Sequence, residues 1–228
     1  MPTAIVTGAS RGLGLALARA LAEDGWDLVI DGRDAGALTA AREELTELTE
    51  VIALAGDVAD ERHRRDLVAA AGADLDALVN NASMLGPSPQ PALAEYPPDA
   101  LEAVYRVNVV APLRLAQLAI PRLAEGGRIV NLTSDAAVEP YEGWGGYGSS
   151  KAALEQLTAI LAAEHPELRV YAVDPGDMRT RMHQEAFPGE DISDRPPPEE
   201  SVPGLLPLVR GELPSGRYRA RELAGIEA

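Results

Sequence analysis

Apolar and polar positions fall into two alternating kinds of block from the first residues onward. Short apolar, β-branched runs alternate with longer Ala- and Leu-rich stretches of helical period. Residues 3–7 predict a first strand and residues 13–23 a helix. Residues 27–31 (DLVID) predict a second strand, after which Asp34 reads as the N-cap of a helix running to about residue 48. Residues 51–54 predict a third strand, and Asp60 caps a helix through about residue 70. Residues 75–80 predict a fourth strand that enters the turn Asn80–Asn81–Ala82–Ser83.

The second half continues the pattern with more interruptions. Residues 84–98 are proline-rich and read as a loop. Residues 99–120 carry a helical pattern with a kink expected at Pro112. Residues 128–132 predict a fifth strand and 145–164 a long helix, closed by His165–Pro166 because the residue before proline avoids helical angles. Residues 168–173 predict a sixth strand and 217–221 a last one. Between them, residues 178–214 are rich in Pro, Gly and acids and read as a mobile substrate flap with one short helix. Strands that are apolar throughout, alternating with helices, predict a parallel sheet covered on both faces. Residues 1–228 read as one α/β domain.

Composition narrows the function. The net charge is −16, so duplex nucleic acid is not an expected partner. The one dense basic run, Arg62–His63–Arg64–Arg65, is flanked by acids and reads as a solvated helix face. No apolar run approaches the roughly 18 residues that a membrane span needs, and the N-terminus does not resemble a secretory signal. The absence of cysteine excludes disulfides, thiolate metal sites and Cys nucleophiles, and fits the cytoplasm. No metal site is expected.

Strand one ends in Thr7–Gly8–Ala9–Ser10–Arg11–Gly12–Leu13–Gly14 and a helix follows. Gly8 allows the tight turn, Gly12 the approach of a pyrophosphate and Gly14 close packing of helix on strand, with the helix N-terminus facing the anion. An acid at the tip of strand two would select NAD. Here the tip reads Asp31–Gly32–Arg33–Asp34, which leaves Gly32 at the discriminating position. Arg33 and Arg11 would favour a 2′-phosphate, so NADP is preferred to NAD. A shift of one residue would bring Asp31 into the NAD-selecting place. Asp57, after strand three, reads either as an acceptor for an adenine amino group or as the cap of the next turn.

Tyr147 and Lys151 are four residues apart, on one face of the long helix. A lysine charge about 6 Å from a phenol supplies about 3 kcal/mol at an effective dielectric of about 20, enough to lower its pKa by about two units. Such a phenol trades protons with an alcohol or its alkoxide. Ser134 ends strand five, where its hydroxyl can hold a substrate oxygen. Asn108 is an unfavoured residue in mid-helix, read as a polar group that holds a water linking Lys151 to solvent.

Together these residues resemble the short-chain dehydrogenase/reductase family in its compact single-domain form. The resemblance runs through TGASRGLG at positions 7–14, GDV at 56–58, NNAS at 80–83, Asn108, Ser134, YGSSK at 147–151 and DPGDMRT at 174–180. It implies a doubly wound Rossmann fold with a seven-stranded parallel sheet in the order 3-2-1-4-5-6-7. It implies catalysis by Tyr147 as acid/base, with Lys151, Ser134 and Asn108, and hydride exchange between NADP and a small carbonyl or alcohol. Ser10, Leu13, Val58, Asn80, Ala82, Pro175, Gly176 and Thr180 join Gly8, Arg11, Gly12, Gly14, Arg33, Asp57, Tyr147 and Lys151 as implied cofactor contacts. Homodimers or homotetramers through helices 99–120 and 145–164 are also implied; the short C-terminal part, without a glycine-rich ending, favours the dimer.

Ser83 departs from the family's commoner glycine, which stiffens that turn. Two rival readings differ in class. An NADP-binding regulator or scaffold would bind cofactor without turnover, and a sugar-nucleotide epimerase or dehydratase would need a second domain for which this sequence has no room. Tyr141, Trp144, Met178, Met182 and Phe187 read as an apolar substrate pocket or as plain packing. Glu185, Glu190 and Asp191 argue against strongly anionic substrates.

Overall fold

A computed structural model describes residues 1–225. β1 (Thr3–Val6) and α1 (Gly12–Glu23) open the chain, followed by β2 (Asp27–Gly32), α2 (Ala35–Leu45), β3 (Val51–Ala55), α3 (Glu61–Ala70) and β4 (Leu75–Asn80). Then come α4 (Pro98–Tyr105), α5 (Ala111–Ala119), β5 (Leu123–Leu132), α6 (Gly145–Glu164) and β6 (Arg169–Asp174). The last elements are α7 (Arg181–Ala186), α8 (Val202–Arg210), β7 (Gly216–Arg219) and α9 (Ala220–Leu223). The strands form one parallel sheet in the order β3-β2-β1-β4-β5-β6-β7, the order expected.

Successive side chains of a strand point to opposite faces. Ala4, Val6, Leu28, Ile30, Ala77 and Val79 meet α1, α2 and α8 on one side. Ile5, Val29 and Leu78 meet α3 and α5 on the other. Both faces are covered, which is why the strands are apolar without alternation. Asp34 and Asp60 cap as expected, accepting from the Ala37 and Arg62 amides. The run 62–65 is tied to acids: Arg62 to Asp66, and Arg64 and Arg65 to Glu61. Among the described residues no helix is long and apolar enough to cross a membrane.

Three stretches differ from expectation. Residues 99–120 are not one kinked helix: a π-helical turn, Arg106–Val110, separates α4 from α5. Pro112 has no N–H for the carbonyl of Asn108, four residues back, and the wide turn absorbs that gap. β5 begins at Leu123 rather than residue 128, through a register shift against β4. Residues 178–214 hold two helices, not one. In the second, α8, Leu205, Leu208 and Val209 are fully buried in the core with Leu17 and Leu21, so this part is structural and not flap.

Order along the sheet reverses between β1 and β4. The carboxyl ends of those strands diverge there and leave a crevice, into which the turns after β1, β2, β4, β5 and β6 all open.

Candidate active site

One cavity of about 1440 Å³ occupies that crevice. It exceeds the roughly 300–1,000 Å³ of a single small-ligand pocket, so it has room for two ligands side by side.

One end is built by the turn from β1 into α1. Gly8 and Gly12 adopt positive φ of 66° and 58°, conformations that side-chain-bearing residues avoid. Arg11, the residue before α1, makes no side-chain cap, and no acid sits in the first helical turn. The N–H groups there stay available to an anion. Asn81 secures the turn, donating to the carbonyls of Thr7 at 2.8 Å and Gly8 at 3.2 Å. Its amide also fills the space beside Gly14, where a Cβ would lie 2.5 Å away. Ser10, Leu13 and, across the cavity, Thr180 complete this wall; Thr180 lies 3.7 Å from where a side chain on Gly12 would start.

The tip of β2 settles where Asp31 goes. Its carboxylate is buried, accepting from the Gly8 amide at 2.6 Å and lying 2.9 Å from His63 Nε2. Those two partners leave it engaged in holding the turn. Gly32 faces Ser10 so closely that a Cβ would lie 2.8 Å from that side chain, which leaves no space for an acid there. Arg33 lines the cavity, exposed. Arg11 is held by Asp34 at 2.6 Å. Asp57 accepts from the Ala59 amide at 2.8 Å and so caps its own turn, while also lining the cavity beside Val58.

The other end contains Ser134, Tyr147 and Lys151, with Ala82, Pro175 and Gly176 between the two ends. Lys151 is buried, and its Nζ donates to the Leu132 carbonyl at 2.7 Å and lies 5.4 Å from the Tyr147 ring centre. The expected acidification of the phenol does not appear. Burial pushes Tyr147 up to about 12, an effect that hydrogen bonds from Ser83 and Ser134 only reduce and that Asp174 and Asp135 reinforce. Burial lowers Lys151 to about 7, so at neutral pH much of its charge is lost. Desolvation is the largest effect on Tyr147 and the whole effect on Lys151.

Two expected site residues lie outside the cavity walls. Asn80 donates to Asn131 at 2.8 Å, and Asn131 donates to Thr158 at 2.9 Å, a polar ladder inside the sheet and α6. Asn80 is the last residue of its strand and is spent on Asn131, and it is Asn81 that lines the cavity. Asn108 is buried and saturated. Its oxygen accepts from the Met84 amide at 2.8 Å and the Ser83 hydroxyl at 3.2 Å; its nitrogen donates to the Met84 carbonyl at 2.8 Å and Ser150 at 3.0 Å. Its side chain pins the loop after β4 and does not reach Lys151.

Tyr141, Trp144, Met178, Met182 and Phe187 all line this end. Trp144 packs edge-on against Tyr147, with centroids 5.8 Å apart, and contacts Tyr141 and Phe187. The chain's one Phe and one of its two Trp meet here, while Trp26 lies in the main core. Sequence reading missed Leu85 and Ala136, which pack on Tyr147, and Asp135, which accepts from Ser134 at 2.9 Å and from Tyr141 at 2.9 Å. Among the described residues no cluster of His, Asp or Glu is placed to hold a metal ion.

Residues 2–191 match the family described as short chain dehydrogenase. The chain is similar to a rhamnolipids biosynthesis 3-oxoacyl-[acyl-carrier-protein] reductase of Pseudomonas aeruginosa, 33% identical over 98% of this chain and 86% of that protein. It is similar to a benzil reductase ((S)-benzoin forming) of Saccharomyces cerevisiae, 31% identical over 79% of this chain and 73% of the other. A short chain dehydrogenase structure from Shigella flexneri, complexed with NADP, superposes with a TM-score of 0.87 at 28% identity, covering 96% of this chain and 97% of that one.

Proposed function

The chain belongs to the short chain dehydrogenase family, and from that premise we propose that it is an NADP-dependent reductase of neutral carbonyl compounds. The observation that carries this reading is the meeting of Ser134, Tyr147 and Lys151 in one cavity with an uncapped helix N-terminus and a glycine turn.

The residues fit the dinucleotide. The open amides of α1 suit a pyrophosphate, Gly32 leaves no place for a NAD-selecting acid, and exposed Arg33 suits a 2′-phosphate. The Shigella relative's complex with NADP supports the same choice. Bound NADPH would supply a hydride to the substrate carbon. Every other task falls to this chain. Ser134 donates a hydrogen bond to the substrate oxygen, and Tyr147 gives its proton to the alkoxide. A phenol held near 12 stays protonated across the physiological range, so the site as built suits donation, the reductive direction. Lys151 supports the phenol from the next turn of α6, and Asn108 fixes the loop that closes over it.

The substrate would lie against Trp144, Tyr141, Phe187, Met178 and Met182. Asp135, Glu142, Asp177 and Glu185 border the same space and disfavour anions. The name of the yeast relative supports an apolar carbonyl. The flap is then residues 178–197, ahead of the buried α8. Two copies would pair through α5 and α6, where Val110 before α5 and Ile160 on α6 are exposed apolar side chains, in the cytoplasm.

The test is NADPH consumption against a panel of ketones, aldehydes, diketones and quinones, with Tyr147→Phe beside the native chain. Turnover by the native protein that Tyr147→Phe loses by at least about 100-fold is expected. Equal rates in the two proteins would remove the mechanism. NADPH binding without turnover on any carbonyl would favour a regulator or scaffold.

A further inference from the structure

We infer that His63 is a specificity-determining residue for the cofactor: its imidazole, 2.9 Å from the Asp31 carboxylate, detains that acid and so keeps it from selecting NAD. This rests on the reading of NADP as the cofactor.

His63 belongs to the basic run 62–65, which reads from the sequence as a solvated helix face. Only Arg62 and Arg65 keep that character; Arg64 is buried and the His63 side chain is 10% exposed. α3 therefore turns His63 inward, against the tips of β2 and β3. A Cβ on Gly56, the residue after β3, would lie 2.3 Å from His63 Nδ1, so it is the glycine that admits the ring. The Gly56 amide also donates to the Gly32 carbonyl at 3.1 Å, which joins the two strand tips beside the imidazole.

Asp31 is the reason the ring matters. Its side chain is 2% exposed. Its Oδ1 accepts from the Gly8 amide at 2.6 Å, and its Oδ2 faces His63 Nε2. A carboxylate only accepts, so Nε2 carries the proton and donates. Yet Asp31 also lines the cavity, with Gly8, Gly32 and Arg33. Gly32 has no side chain to select NAD, and Asp31, one residue before it, is the acid that can take over that role.

Without His63, Oδ2 is a buried charged oxygen that has lost its donor, a costly state. Turning toward the cavity returns it to donors, either water or the ribose hydroxyls of NADH. The same turn sets a negative charge against the 2′-phosphate of NADPH. Release of the Gly8 amide would weaken both nucleotides alike. The signature of His63 is therefore the ratio of the two affinities and not either affinity alone.

The test is calorimetric titration of NADPH and NADH into the native chain, His63→Leu, His63→Gln, and Asp31→Asn with and without His63→Leu. In His63→Leu the preference for NADPH should fall at least about tenfold, the worth of one hydrogen bond to a charged group. His63→Ser, which leaves space for water, serves the same comparison if His63→Leu does not fold. His63→Gln, whose amide can donate to the same carboxylate, should keep most of the native preference. In the Asp31→Asn background, where no carboxylate is left to detain, His63→Leu should leave the ratio unchanged. An unchanged ratio in His63→Leu, an equal fall in His63→Gln, or the same fall in the Asp31→Asn background overturns the proposal and leaves the imidazole as packing at the strand tips. A native chain that binds NADH as tightly as NADPH removes the cofactor reading, and the change of ratio in His63→Leu still decides the role of His63.

Discussion

Lys151 holds its nitrogen 5.4 Å from the centre of the Tyr147 ring, with both side chains buried and its own proton directed at the Leu132 carbonyl. Each group's charged form is opposed by burial: the phenol rises to about 12 and the amine falls to about 7. An unfolded lysine has the ordinary value of 10.5. Between about 7 and 10.5 the unfolded chain therefore binds more protons than the folded one, and stability rises with pH across that window. Below about 7 both states are protonated and the penalty is constant.

Lys151→Met removes that penalty. The variant should be more stable than the native chain at pH 6, by a margin that shrinks by up to about 1.4 kcal/mol per unit as pH rises through the window. Denaturant unfolding of both proteins from pH 6 to 10 measures it. Parallel stability curves would show that the amine is not desolvated as the structure has it.

The β2 tip separates two cofactor effects of opposite sign. Arg33→Ala should weaken NADPH binding by about 10- to 100-fold, the loss of one charge-assisted contact, and leave NADH nearly unchanged. Asp34→Asn keeps an N-cap for α2 yet releases Arg11 from its 2.6 Å ion pair. NADPH should then bind several-fold tighter. Calorimetric titration with both nucleotides reads each variant. Equal losses for NADH and NADPH in Arg33→Ala would place that guanidinium away from the 2′-phosphate.

Asn108 makes four hydrogen bonds, one with Ser83, two with Met84 and one with Ser150. Asn108→Ala orphans the Met84 amide and carbonyl and one donor to Ser150. The expected cost is about 3 kcal/mol of unfolding free energy, with loss of activity at temperatures where the fold persists. Urea denaturation with a carbonyl assay on the folded fraction tests it. A variant as stable as the native chain but inactive would return Asn108 to a direct catalytic role.

The succession of strands and helices was legible because apolar strand runs and capping acids such as Asp34 and Asp60 act locally, whereas the order of the strands in the sheet followed only from the family resemblance. The glycine turn and the Tyr147–Lys151 pair were legible for the same reason: turn geometry and helical spacing are written in neighbouring residues. What was not legible depends on direction and environment. Asn80 and Asn81 are adjacent and chemically identical, and only the pleat of β4 sends one into the sheet and the other to the Thr7–Gly8 turn. α8 was hidden by its two prolines and a glycine, which read as loop, although Leu205, Leu208 and Val209 have the spacing of a buried helical face. The phenol's acidity was misjudged because spacing gives the distance to Lys151, whereas burial, a property of the whole fold, decides whether that lysine carries a charge.

Lys151 is also the only lysine of the chain, which makes its chemistry readable against a silent background. Every other side-chain cation is an arginine or a histidine, so an amine-directed acylating reagent has two targets, this residue and the α-amino group of Met1. Peptide mass separates the two. An ordinary lysine is almost wholly protonated at neutral pH and reacts slowly; an amine near 7 is half neutral there. The acylation rate at Lys151 should therefore rise to a plateau with a midpoint near pH 7, provided that the reagent is small enough to enter the cavity lined by Lys151. NADP should block it, because the dinucleotide would cover the cavity floor where the amine lies, while labelling of Met1 continues. A midpoint near 10.5 would show the amine fully hydrated. Undiminished labelling of Lys151 under saturating NADP would separate the lysine from the cofactor site, and with it the catalytic reading of Tyr147.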